Sequence, residues 1–332
     1  MTDGLYDPYA RQIQYLRVSI TDRCNLRCIY CMPEEGVPLL RHKDILRFEE
    51  IRRLVEIAIG LGITHVRITG GEPLARRGVV DLIRMLAALP GLEDLALTTN
   101  GTLLAPLAED LAHAGLRRVN ISLDTLRPER YRAITRRGEL EEALAGIEAA
   151  FRAGLDPVKV NMVVMRGIND DEVVDLARLS LERGWHVRFI EYMPLGKEPA
   201  LARERFVSAQ EVRSRLEQAL GPLEPAHVEG SGPARTWRLA QAPPSAGTIG
   251  FISALSEHFC AACNRLRLSA DGRLFPCLFS DVEFDVRTPL RSGADDETIR
   301  QVFRQAVLAK GPGHALDRYL TTTSHLMSRV GG

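Results

Sequence analysis

Two sets of three cysteines carry the most distinctive chemistry of this chain. The stretch "TDRCNLRCIYCMPEEG" places Cys24, Cys28 and Cys31 at C-x3-C-x2-C, while "CAACNRLRL" and the later "LFPC" place Cys260, Cys263 and Cys277 at C-x2-C-x13-C. These six are all the cysteines in 332 residues. Metals and clusters usually take four ligands, so three thiolates leave one position of a tetrahedral ion, or one iron of a four-iron cubane, open to a small molecule. The first spacing matches neither the paired C-x2-C of zinc ribbons nor the plant-type ferredoxin pattern. For the second set, a Cys3His zinc site completed by His258 is an alternative to a cluster with an open iron.

Cations form a second pattern. Arg17 in "YLRVSIT", Arg67 in "ITHVRIT" and Lys159 in "PVKVNMVV" each sit inside a short β-branched run, and Arg265 and Arg267 are spaced by two in "NRLRL". Alternate strand residues face opposite sides, which sets Arg17 with Ser19 and Thr21, Arg67 with Thr69, and Lys159 with Asn161. If those faces look inward, each unpaired charge costs on the order of several kcal/mol. Taken singly, each cation can be balanced by an internal carboxylate or reach water. Together they suit a phosphate-rich small molecule, all the more because no GxxxxGK[ST] phosphate loop is present. "TGGEPL" is glycine-rich but lacks a dinucleotide fingerprint, and alone reads as a strand-to-helix turn.

The elements that must position these residues follow a repeated order. Strand patterns at 15–21, 63–69, 94–100, 117–124, 157–164 and 186–192 alternate with amphipathic helical patterns at 49–60, 78–89, 103–114, 139–153, 170–182 and 208–220. Six βα units predict an α/β fold with a parallel sheet, an incomplete (βα)6 barrel of the TIM type rather than a closed eightfold one. The unusual sequences fall at the carboxyl ends of those strands, where such folds bind ligands. After Gly221 the texture becomes Gly- and Pro-rich, with a hairpin expected around Asp271 and Gly272 and a last helix over 295–310. The division expected is 8–224 for the partial barrel and 225–332 for a C-terminal extension packed on it.

With Lys+Arg 43 against Asp+Glu 43, no broad nucleic-acid footprint is expected, and any polyanion must be met locally. No apolar run approaches a membrane span, and "MTDGLYDPYARQ" has neither the basic start nor the apolar centre of a signal peptide. A cytoplasmic protein is therefore expected, in which reduced thiols serve as metal ligands rather than disulfides.

"CNLRCIYC", with Tyr30 immediately before the third cysteine, resembles the cluster motif of the radical S-adenosylmethionine (SAM) superfamily, and "GGEP" resembles its segment that holds the SAM amino group. The resemblance implies a partial βα barrel and a 4Fe–4S cluster on Cys24, Cys28 and Cys31. SAM would chelate the open iron and be cleaved reductively to a 5'-deoxyadenosyl radical. "CNLRCIYCMP", "RITGGEPLAR", "LTTNG", "NISLD", "VKVNMVV", "EYMP", "CNRLRL" and a terminal "GG", in order over nearly the whole chain, are similar to the branch of that superfamily that cyclises GTP in molybdenum-cofactor biosynthesis.

That likeness implies a second 4Fe–4S cluster on Cys260, Cys263 and Cys277 that binds substrate. It implies SAM contacts at Tyr30, Gly71, Ser122 and Met193, and GTP contacts at Arg17, Arg67, Thr98, Lys159, Arg265 and Arg267. Gly331 and Gly332 would complete the active site. Partners implied are a reducing electron donor, a downstream cyclic pyranopterin monophosphate synthase that receives the product, and a second copy of the chain, with no nucleic acid and no membrane. Leu26 stands where an aromatic residue is frequent, and Val330 where isoleucine is common. The rivals are a peptide-modifying radical SAM maturase with an auxiliary cluster, and a zinc-stabilised binding module.

Overall fold

The computed structural model describes residues 4–194, 203–228, 232–314, Met327 and Gly331. Gly332 and Val330 lie outside the described residues. Six strands, β1 (Tyr15–Ser19), β2 (His65–Thr69), β3 (Asp94–Thr99), β4 (Arg118–Ser122), β5 (Lys159–Val164) and β6 (His186–Glu191), run parallel in sequential order. Between and after them come α1 (Phe48–Gly60), α2 (Val79–Ala87), α3 (Ala108–His113), α4 (Pro128–Thr135), α5 (Leu140–Arg152), α6 (Val173–Glu182) and α7 (Ala209–Leu220).

The helices form for local reasons. In α1, Ile51, Leu54, Val55 and Ala58 share the buried face, and Glu50 accepts from the Arg47 backbone N–H at 2.7 Å as half of a capping box. Leu16, Val18, Val66, Ile68, Leu97, Val119 and Ile121 on the strands join the helices' apolar stripes in one core. The other strand face carries the polar residues, so the sheet is buried on both sides, as parallel sheets are.

The residues after 221 do not merely pack on the barrel. β7 (Leu223–Pro225), β8 (Arg235–Leu239) and β9 (Ile249–Ile252) form an antiparallel meander, and β9 pairs parallel with β6. β10 (Arg265–Leu268), β11 (Arg273–Phe275) and β12 (Phe284–Asp285) form another, and β10 pairs parallel with β1. The result is one twelve-stranded sheet in the order β12-β11-β10-β1-β2-β3-β4-β5-β6-β9-β8-β7. An open six-stranded barrel leaves unpaired N–H and C=O groups along both edges, and these strands satisfy them. The expected hairpin is β10–β11, turning through Asp271 and Gly272.

Two further helices follow β12, the short α8 (Arg287–Arg291) and α9 (Asp296–Leu308), the latter capped by Asp295 accepting from Thr298 N–H at 2.8 Å. Ile299 and Phe303 of α9 are buried, and Arg53 of α1 pairs with Asp296 at 2.8 Å. The helix expected over 103–114 is confined to α3, because Pro106 has no N–H and keeps its predecessor out of helical geometry. α4 was not anticipated, although Pro128 at its first turn is a start signal.

Candidate active site

Both cysteine sets open onto one cavity at the carboxyl ends of the strands. It encloses about 1800 Å³ not filled by protein atoms, its mouth included. Arg17, Arg67, Thr98, Ser122, Met193, Arg265 and Arg267 line it, together with Tyr30 and Gly71. Lys159, also expected at the site, is fully buried in β5 and is not on the cavity wall.

The first cysteine loop leaves β1 and is strapped down on both flanks. Gly71 N–H donates to Thr21 O at 2.7 Å, and Glu72 N–H to Arg23 O at 2.8 Å. A β-carbon at Gly71 would fall 2.3 Å from that Arg23 oxygen, so only glycine permits this approach. Glu72 accepts from Leu74 N–H, Thr99 Oγ1 and Asn100 N–H at 2.8 to 3.0 Å, and Asn100 Nδ2 donates to Asn25 Oδ1 at 2.9 Å. Asn25 lies between the first two cysteines, so the end of β3 fixes the loop. On the other flank Arg27 and Ile29 N–H donate to the carbonyls of Thr135 and Ile134 in α4, each at 2.9 Å.

Burial pushes all three thiols up, Cys31 to about 12, with neighbouring cysteines adding repulsion at Cys28 and Cys31 and Glu72 at Cys24. Three buried thiols of this kind keep their protons unless a metal centre replaces them, which fits a cluster. Tyr30 donates to Asp124 Oδ2 at 2.8 Å, while Asp124 Oδ1 accepts from Val163 N–H at 2.8 Å. Burial raises Asp124 to about 6 and Glu72 to about 7, against the pull of their hydrogen bonds.

The second set lines the same cavity. Cys260 opens a short 3-10 turn that closes with Cys263 N–H on Cys260 O at 3.1 Å, and Cys277 follows β11. Burial raises Cys260, whereas at Cys263 the charges of Arg265 and Lys310 outweigh burial and bring the thiol down to about 6. His258, the alternative zinc ligand, turns its Nδ1 toward Ala254 O at 3.4 Å and packs edge-on against His314, 4.3 Å between centroids. Among the described residues no three His, Cys, Asp or Glu side chains converge as on a single ion.

Strand register explains the cations. Arg267, Arg17 and Arg67 are direct partners across β10, β1 and β2 and so stand in one row, about 4.8 Å from strand to strand. Burial, with repulsion from neighbouring guanidiniums, pushes all three down, Arg267 to about 10; Arg265 adds to the repulsion at each. Arg188 on β6 lines the cavity too and falls to about 9, chiefly through burial. Its partner across β9 is Gly250, where a β-carbon would fall 3.0 Å from Arg188 Cγ. Lys159 is in register with Asn120 and His186, and burial drives its ammonium to about 6.

Several buried polar atoms around the row have no partner among the described residues: Arg67 Nε, Thr98 Oγ1, Asn120 Oδ1 and Asn161 Oδ1. Such groups are costly to leave unsatisfied, so the wall fits a ligand rich in anionic and polar atoms. Arg265 lies over the ring of Phe259 at 4.8 Å. Gly331 also reaches the row: Arg267 Nη1 donates to its carbonyl, and a β-carbon there would fall 2.0 Å from Thr69 Oγ1. Arg188 and Asn120 were missed in the sequence reading, although the alternation that singled out Arg17, and that set Asn161 beside Lys159, applies equally to "HVRFIEY" and "RRVNISLD".

Comparison with known proteins agrees with this geometry. The profile of the radical SAM superfamily matches residues 18–180, and that described as Molybdenum Cofactor Synthesis C matches residues 185–316. The GTP 3',8-cyclase of Heliobacterium modesticaldum is 54% identical over 330 residues, covering 99% of this chain and 100% of its own. That of Moorella thermoacetica is 51% identical over 329 residues, with coverage of 99% and 100%. The crystal structure of Streptococcus suis SuiB bound to S-adenosylmethionine aligns with a TM-score of 0.60 at 13% identity, over 89% of this chain and 69% of its own, and shares the fold.

Proposed function

This chain belongs to the radical SAM superfamily and, within it, to the GTP 3',8-cyclases, and from that premise we propose how its residues divide the work of converting GTP to 3',8-cyclo-7,8-dihydro-GTP, the first step of molybdenum-cofactor biosynthesis. The observation that carries the division is one cavity lined by both cysteine sets and by a row of in-register arginines.

Cys24, Cys28 and Cys31 would hold one 4Fe–4S cluster, and Cys260, Cys263 and Cys277 the other. When bound, the first cluster and SAM would supply a radical able to take the ribose 3' hydrogen as one electron cleaves the sulfonium; closing the ribose carbon onto guanine C8 then needs one further electron and one proton, which the external reductant and solvent would supply. Gly71, Tyr30, Ser122 and Met193 place SAM on that side of the cavity. The close approach at Gly71 sets the depth of the cysteine loop, and the Tyr30–Asp124 bond fixes the ring.

Arg17, Arg67, Arg265 and Arg267 clamp the triphosphate, with Thr98 offering a hydroxyl, Lys159 adding positive field from beneath, and Arg188 closing the row from β6. Clamping the phosphates and the base at opposite ends orients the ribose, which is worth more than contact with the ribose itself. Gly331 lies against Thr69 and Arg267, where it covers the row, and Gly332 is assigned to the same site from the resemblance alone. The division of the chain at 224/225, the homodimer, the cytoplasmic setting, the external electron donor and product hand-off to cyclic pyranopterin monophosphate synthase belong to the same reading. No helix among the described residues is long and apolar enough to cross a membrane.

The test is anaerobic reconstitution followed by incubation with SAM, reductant and each nucleoside triphosphate in turn. About eight iron and eight sulfide per chain, as two cubanes require, and cyclised product with GTP alone are expected. Zinc without sulfide, or equal turnover of ATP and GTP, would sink the assignment.

A further inference from the structure

The second cysteine set is framed by two buried cations, Lys310 and Arg11, that donate to the backbone segments carrying the thiols. Lys310, just past the end of α9, is 4% exposed and lines the cavity. Its Nζ donates to Arg265 O at 3.0 Å and to Pro276 O at 2.7 Å. Arg265 is two residues after Cys263, and Pro276 immediately precedes Cys277. One ammonium thus ties together the two backbone segments that present two of the three thiols. The third is held separately: Arg11 Nη1 donates to Cys260 O at 2.7 Å, and its Nη2 to Gly311 O at 2.5 Å.

The two cations differ in charge balance. Arg11 is paired with Asp7 at 2.5 Å, so its work is mechanical. Both partners of Lys310 are neutral carbonyls, which orient the ammonium without neutralising it. A buried positive charge close to thiolate ligands favours the more negative state of whatever they hold, and net charge and hydrogen bonding are the protein's main controls over an iron–sulfur potential.

We propose that Lys310 is a positioning residue of the second cluster, setting the spacing of the Cys263 and Cys277 segments and raising the cluster's reduction potential through its unneutralised charge. The inference rests on the ligation proposed above. It goes beyond it in giving a residue that is neither a proposed ligand nor a proposed substrate contact control over the electronic state of the cluster that Cys260, Cys263 and Cys277 would hold.

The experiment uses the full-length chain with Cys24, Cys28 and Cys31 replaced by alanine, so that only the second cluster contributes. Lys310→Met and Lys310→Arg are compared with that background for iron content, electron paramagnetic resonance of the reduced cluster with and without GTP, and midpoint potential. Lys310→Met should make reduction at least tenfold less favourable, a downward shift of about 59 mV for a one-electron couple, and should alter the GTP-induced spectral change. Lys310→Arg, which keeps the charge, should recover most of the potential. An unchanged potential and spectrum in Lys310→Met, or equal impairment in both variants, would overturn the proposal, the latter by showing packing alone at work. If the methionine variant does not fold, Lys310→Gln retains a donor without charge, and the same downward shift is required of it. A background protein that takes up no second cluster would overturn the ligation itself and this inference with it, an outcome distinct from a cluster indifferent to Lys310.

Discussion

Replacing Arg67 with methionine should strengthen the fold and weaken substrate binding at once. Arg67 is buried on β2, in register with Arg17 on β1. Two unit charges about 5 to 7 Å apart at an effective dielectric of 20 repel by roughly 2 to 3 kcal/mol. Against that stands the contact of the guanidinium with the Tyr15 ring at 5.4 Å, worth about 0.5 to 2 kcal/mol in such settings. Methionine keeps much of the volume and most of the apolar contact. The net expectation is a GTP-free protein stabilised by about 1 to 2 kcal/mol, a rise of a few degrees in its unfolding midpoint.

GTP should respond in the opposite sense. Loss of one charge-assisted contact costs about 1.5 to 3 kcal/mol, or roughly 10- to 150-fold in Kd. Scanning calorimetry without ligand and anaerobic titration calorimetry with GTP measure the two effects on one sample. A lower midpoint combined with an unchanged Kd would refute the reasoning, because it would mean that the row is held by internal partners and not kept for an anion.

The other expectations follow from the same geometry. Gly71→Ala must displace the Arg23 carbonyl, at a cost of about 1 to 3 kcal/mol, and should halve the iron taken up by removing the first cluster; Gly60→Ala, with nothing within 4 Å of the added carbon, should bind iron normally. Because burial brings Lys159 down to about 6, the unfolded chain binds a proton that the folded chain does not from about pH 6 up to the usual lysine range. Stability of the GTP-free protein should therefore climb with pH across that window and flatten in Lys159→Met, as read by denaturant midpoints at several pH values. GTP binding should take up protons near neutral pH, visible as a dependence of calorimetric heat on the buffer's ionisation heat. Arg188→Met should raise the Kd for GTP by roughly tenfold or more, and no change would remove Arg188 from the clamp.

Much of the fold was legible because its signals are local. β-branched runs of five or six residues, helices such as α1 with apolar positions three and four apart, and turn residues such as Asp271–Gly272 each declare themselves within a short window. Where a local signal was weak the reading drifted: Pro106 shortened a helix that periodicity extended, and α4, with its charged sequence, was passed over. The roles of Asn25, Asn100 and Asp124 were invisible for another reason. Each is an ordinary polar residue until folding brings Asn100 onto Asn25 and Asp124 onto Tyr30 of the cysteine loop.

The sequence by itself determined the chemistry: thiols at spacings that leave an iron open, cations on alternating strand positions, and enough βα units for a partial barrel. Tertiary structure alone decided how these meet. β10 pairs with β1 although some 250 residues separate them, and only that pairing puts Arg267 beside Arg17 and faces the second cysteine set toward the first. Strand alternation specifies the face on which a side chain lies, but not which distant strand will supply its neighbour. That choice is made by the unpaired edges of an open sheet, whose backbone groups must find partners wherever the chain can return to offer them.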